Sequence, residues 1–226
     1  MTMLFAFVLL LCFRGVVAFN PGTSWRNKYA FAALKSDGTV VAWGDTSYGG
    51  ATPTGLDNVA IIYSNWYAFA ALKTDGTVVA WGSSEDGGTT PTGLDNVATI
   101  YATQYSFAAL KTDGTVVAWG DSNYGGTAPS GLDNVATIYS TSGGAFAALK
   151  TDGSVVAWGS SGGGGIAPST GLTSVATIYS TWGAFAALKT DGSVVAWGFC
   201  TQCDISVTSG LTNVQTIYST ADAFAA

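Results

Sequence analysis

Three apolar segments recur in a fixed order along most of the chain. The first is V-[AQ]-[TI]-I-Y, placing Tyr63, Tyr101, Tyr139, Tyr179 and Tyr218 at steps of 38, 38, 40 and 39 residues. The second is FAALK, beginning at Phe31, Phe69, Phe107, Phe146 and Phe185, with steps of 38, 38, 39 and 39. The third is VVAWG, carrying Trp43, Trp81, Trp119, Trp158 and Trp197. Each is five or six residues of β-branched, aromatic and small side chains, without proline or helical spacing, which predicts three short strands per unit. A period in this range marks solenoids, propellers or arrays.

FAALK and VVAWG are apolar at successive rather than alternate positions, so both faces of each sheet should be covered. Radial face-to-face stacking of small sheets achieves this, and the expected architecture is an all-β propeller of three-stranded repeats rather than a β-solenoid. The paired alanines of FAALK suit a strand crowded near the axis, with Trp and Tyr filling the wider gaps between sheets. Between these two strands lies K-[ST]-D-G-[TS], as at Lys35–Thr39 and Lys73–Thr77. Asp-Gly between strand-like runs predicts a tight hairpin with positive φ at both central residues. The aspartates are therefore read as turn residues, and the lysines as solvated turn flanks.

The stretch AFAALKTDGTVVAWG, followed by a glycine-rich loop such as DSNYGG at Asp121–Gly126, resembles the regulator of chromosome condensation repeat. The resemblance covers residues 29–226 and implies a β-propeller. The repeats are short and look like those of secreted bacterial propellers, one of which inhibits β-lactamases. Alanine or serine (Ala30, Ala68, Ser106, Ala145, Ala184, Ala223) stands where nuclear members often carry histidine, and the QLG-type loop after W-G is missing. The resemblance therefore implies neither nucleotide exchange on a small GTPase nor chromatin binding. Five D-G/W-G units are present against the usual seven blades. Two readings fit: an incomplete seven-bladed ring, which is favoured, and closure of a five-unit ring by the spare VQTIYS segment at Val214–Ser219.

Composition narrows the chemistry. Histidine is absent from the 226 residues, which removes histidine-based nucleophile pairs, general bases and imidazole metal sites. The net charge of -6 and the lack of a basic run speak against nucleic acid as a partner. Residues 4–13 form an apolar run too short to span a bilayer, followed by Val16 and Ala18, small residues suited to signal-peptide cleavage. Residues 1–18 are expected to be a secretory signal and 19–226 the propeller, exported and without a membrane span. In that setting Cys200 and Cys203 are disulfide candidates.

In a repeat protein, positions that differ between units are the candidates for recognition. Two loops vary: the one after W-G, and the short one before FAALK. The second carries Tyr29, Trp66, Tyr67, Gln104, Tyr105 and Trp182 at equivalent places. Its aromatic members should gather at one end of the propeller. Exposed Trp and Tyr favour binding. The expected function is a non-enzymatic interaction module with a protein partner; a glycan partner is the alternative, and an inhibitor or glycosidase-like role ranks below both. No cofactor or metal is called for: one carboxylate per loop falls short of a calcium shell, and no acid pair stands apart from its repeats as a glycosidase requires.

Overall fold

The computed structural model describes residues 26–199 and 211–225. The expected signal segment and the Cys200/Cys203 pair lie outside the described residues. Among the described residues all regular structure is β-sheet, apart from three single-turn 3-10 helices at Thr46–Tyr48, Ser122–Tyr124 and Ser161–Gly163.

A hairpin of β1 (Ala30–Leu34) and β2 (Val40–Gly44) comes first. Four three-stranded antiparallel sheets follow. They are β3 (Val59–Ser64), β4 (Ala68–Lys73) and β5 (Val78–Gly82); β6 (Val97–Ala102), β7 (Ser106–Lys111) and β8 (Val116–Gly120); β9 (Val135–Ser140), β10 (Ala145–Lys150) and β11 (Val155–Gly159); and β12 (Val175–Ser180), β13 (Ala184–Lys189) and β14 (Val194–Gly198). A short pair, β15 (Tyr218–Ser219) and β16 (Phe224–Ala225), ends the described chain. In each full sheet the FAALK segment is the middle strand, and its apolar residues are buried on both faces. The alanines reflect that central place. The strands that approach their counterparts in neighbouring units are instead the first ones, as when the Tyr101 hydroxyl meets Thr137 Oγ1 at 3.1 Å.

Burial follows the period-two geometry of a strand, with a neighbouring unit on each side. Each junction between consecutive units holds its own apolar core. At one, Tyr63, Ala68, Ala70 and Leu72 face Ile100, Phe107, Ala109 and Trp119; at the next, Ala108 and Leu110 face Ile138, Phe146, Ala148 and Trp158. Phe and Trp stack within the sheet at 5.1–5.3 Å in the four full sheets. The indole N–H of each reaches the loop of the preceding unit, as Trp119 Nε1 does to the Gly87 carbonyl at 3.0 Å. Phe107, Phe146 and Phe185 are fully buried.

The hairpin turns differ from expectation. Positive φ is confined to the glycine, 79° at Gly38, and the aspartate keeps an ordinary backbone. Lys35 N–H donates to the Thr39 carbonyl and Gly38 N–H to the Lys35 carbonyl, which makes a longer loop with a left-handed glycine bulge. Asp37 Oδ1 fixes it by accepting from Thr39 N–H at 2.9 Å and Thr39 Oγ1 at 2.6 Å. The lysines also depart from the solvated reading. Lys73, Lys111 and Lys150 pair with Asp57, Asp95 and Asp133, which stand just before the adjacent first strands, at 2.7, 2.8 and 3.1 Å. The Lys73 side chain is only 16% exposed.

Candidate functional site

The loop before each FAALK strand and the loop after each VVAWG strand share one end of the sheets, opposite the Asp-Gly turns. One anchoring position ties the two loops together. Asn65 Oδ1 accepts from Tyr67 N–H at 2.9 Å and Ala68 N–H at 2.7 Å, while its amide donates to the Asp86 carbonyl at 2.6 Å. Asn27 does the same for Tyr29, Ala30 and the Tyr48 carbonyl. In the next unit a hydroxyl pair replaces the amide: Thr103 and Ser106 bond each other at 2.7 Å, and both reach the Tyr124 carbonyl. Backbone bonds also link neighbouring units here, from Lys28 N–H to the Trp66 carbonyl and from Trp66 N–H to the Gln104 carbonyl.

These anchors build a ladder of tyrosine rings across three units. Tyr29 stacks on Tyr67 at 5.9 Å, and Tyr67 on Tyr105 at 5.8 Å. Tyr48 tilts between the first two, 4.8 Å from Tyr29 and 5.4 Å from Tyr67, and Tyr124 extends the row 4.4 Å beyond Tyr105. Trp66 meets Tyr105 edge-on at 5.5 Å, and Lys28 Nζ sits 3.1 Å above the Trp66 ring. The row ends where the next unit has Gly144 in the tyrosine position. Tyr124 packs so closely on that glycine that a Cβ has no room.

The structure thus brings Tyr29, Trp66, Tyr67 and Tyr105 together but treats the other two expected residues differently. Gln104 is 7% exposed, a buried support rather than a surface contact, because its backbone lies inside the inter-unit seam. Trp182 is 49% exposed, as is Tyr29, but among the described residues no ring contact joins it to the ladder. Glycines at 143, 144 and 183 separate it from the row. Sequence reasoning missed Tyr48, Tyr124 and Lys28 as members. The available signal was that Tyr48, Asp86 and Tyr124 all stand immediately before a Gly-Gly pair.

Asp86 holds the rung that Tyr48 and Tyr124 fill in the flanking units. Partial burial, reinforced by Asp121 and Glu85, pushes its carboxyl above the usual carboxylate range, against a bond of 2.6 Å from Ser83 Oγ. Burial likewise raises the phenols of Tyr67 and Tyr105, helped by neighbouring tyrosines and by Asp86. The raised phenols of Tyr67 and Tyr105 thus stand beside the carboxyl of Asp86. Among the described residues no cluster of His, Cys, Asp and Glu could hold a metal ion, and no helix is long and apolar enough to cross a membrane.

Repeated three-stranded antiparallel sheets, packed face to face and joined in sequence, are the blades of a β-propeller. Solved structures with a similar fold include RCC1 and RCC1-like propellers. The chain is similar to human WBSCR16 (20% identity, TM-score 0.51, covering 76% of this chain and 60% of that one) and to yeast RCC1 (Prp20) in a structure bound to Kap60 (18%, 0.51, 77% and 55%). It is also similar to the ectodomain of the Physcomitrella patens receptor kinase CR4 (19%, 0.51, 86% and 56%). The chain spans less than two thirds of each of these proteins, and at such identities the likeness is one of fold. No protein-family model matches the sequence, and no curated protein matches it.

Proposed function

We propose that the protein is an exported, non-catalytic binding module whose tyrosine-bearing rim docks a protein partner. One observation carries the reading: a continuous row of rings from Tyr29 to Tyr124, held by buried Asn and Thr anchors, lies on a surface that the fold leaves half open. Rigid tyrosines give large contact area at low entropic cost, and the backbone seam beneath them means that little order is lost on binding. RCC1-like structures include a complex with a protein, the Kap60-bound yeast RCC1, which fits such a role.

A photo-crosslinking residue at position 29, on the rim, and another at position 77, in the opposite turn, test the idea with the full chain in extracts and culture medium of the source organism. We expect one protein band from position 29 that Trp66→Ala with Tyr105→Ala abolishes, and none from position 77. A band from position 77 alone, or a rim that binds only glycans on an array, overturns the protein-docking reading.

A further inference from the structure

We propose that the Tyr67–Asp86–Tyr105 stretch of the rim is a receptor for cationic side chains, arginine or lysine, presented by a polypeptide partner. The inference rests on the docking role of the rim and names the chemistry of what docks.

The protein already displays the contact once, within itself. Lys28 is exposed, yet its ammonium lies 3.1 Å over the Trp66 ring and 5.7 Å from that of Tyr67. A cation over an aromatic face within about 6 Å is attracted by the ring quadrupole. The rim can thus hold an ammonium on its rings; Tyr67 shares Lys28 only at the 5.7 Å edge of that range, and among the described residues no cation lies over Tyr105. Tyr67 and Tyr105 stack at 5.8 Å, partly buried, and between their units the tyrosine of the repeat is replaced by Asp86. Its Oδ2 accepts from Ser83 Oγ, and among the described residues Oδ1 has no donor. Glu85 beside it is exposed, and Asp121 lies on the same side. A carboxylate framed by π-faces matches a guanidinium or ammonium and disfavours an anion. The turn aspartates differ in setting: the Oδ1 of each takes two donors, a backbone N–H and a Thr or Ser hydroxyl, whereas Asp86 takes the single hydroxyl of Ser83 and stands among rings. The chain's net charge of -6 adds long-range attraction for a basic segment.

The test uses the full chain and a fluorescein-labelled (Arg-Gly-Ser)4 peptide, its lysine counterpart, and a citrulline peptide that keeps the arginine shape without the charge. Anisotropy is read at two salt concentrations. The Arg and Lys peptides should bind and the citrulline peptide should bind at least about tenfold more weakly, with affinity falling as salt rises. Asp86→Tyr, which restores the residue of the flanking units and so preserves the packing, should weaken Arg-peptide binding about tenfold. Asp113→Asn, an equal change of charge sign in a distant turn, should alter it by less than about twofold. Tyr67→Leu with Tyr105→Leu should cost about tenfold while every acid is kept. Equal effects of Asp86→Tyr and Asp113→Asn, equal binding of the citrulline peptide, or no binding of the arginine peptide overturns the proposal. If position 29 still crosslinks a protein partner after Asp86→Tyr, the cation receptor falls and the docking rim stands; if position 29 captures nothing, the docking reading falls as well.

Discussion

Gly125 and Gly131 share a loop and a positive φ, 94° and 71°, but not an environment. A Cβ at Gly131 meets nothing within 4 Å, so only the left-handed backbone opposes a side chain there. At Gly125 the same atom would lie 2.7 Å from Phe146 Cδ2. That ring cannot retreat, because it is fully buried and stacked on Trp158 at 5.2 Å. Gly131→Ala should therefore cost about 1 kcal/mol. Gly125→Ala adds overpacking of a closed core to the same strain and should cost about 3 kcal/mol. Urea denaturation of the two variants checks the difference, and equal costs would mean that the Phe146 ring yields. The repeat makes the reason general. Gly49, Gly87 and Gly164 hold the same place over Phe69, Phe107 and Phe185, so the glycine-rich loop is a lid fitted to an aromatic ring.

Each first strand is entered through a residue at positive φ: Asn58, Asn96 and Asn134 at 53°, and Ser174 at 57°. Asparagine tolerates this region better than other residues with a Cβ, and serine lacks that advantage. Ser174→Asn should thus stabilise by about 0.5 kcal/mol, read as a higher melting temperature; an unchanged one would show that other contacts fix this backbone. The strands themselves were legible because repetition fixed their register and an uninterrupted apolar run implied cover on both sides. Other features were not. Asp-Gly fits both a two-residue turn and the longer bulged loop found here, and Asp37 accepting from Thr39, an Asx-type contact open to Asp in either, accompanies the bulged form. The rim was half legible for a similar reason. Alignment of the units shows that Tyr29, Tyr67 and Tyr105 are equivalent, but not that the loop of one unit slides its Tyr48 between two of them. Gln104 departs from expectation because a variable position need not point outward when its backbone bonds the preceding unit.

Across the whole molecule the junction cores repeat, so the sheets stabilise one another in series, and a weakness common to all units acts on all of them together. Acid is such a weakness. Asp37, Asp75, Asp113, Asp152 and Asp191 are held below the usual carboxylate value, first by Thr or Ser hydroxyls and then by backbone N–H groups. Asp57, Asp95 and Asp133 are held down by the bonded lysines. A carboxyl that is more acidic folded than unfolded contributes stability above the unfolded value, near 3.8, and loses it as pH falls through the lower folded one. Asp86 has the opposite sign, since its raised value means that protonation on acidification relieves a cost. Eight groups against one decide the direction. The melting temperature should be level from pH 7 to about 5, then fall steadily towards pH 2.5. Asp113→Asn should flatten that descent slightly, whereas Asp86→Asn should raise stability at pH 7 and steepen it. A melting temperature that rises below pH 4 would show that the turn carboxylates are not the groups that hold the units in place.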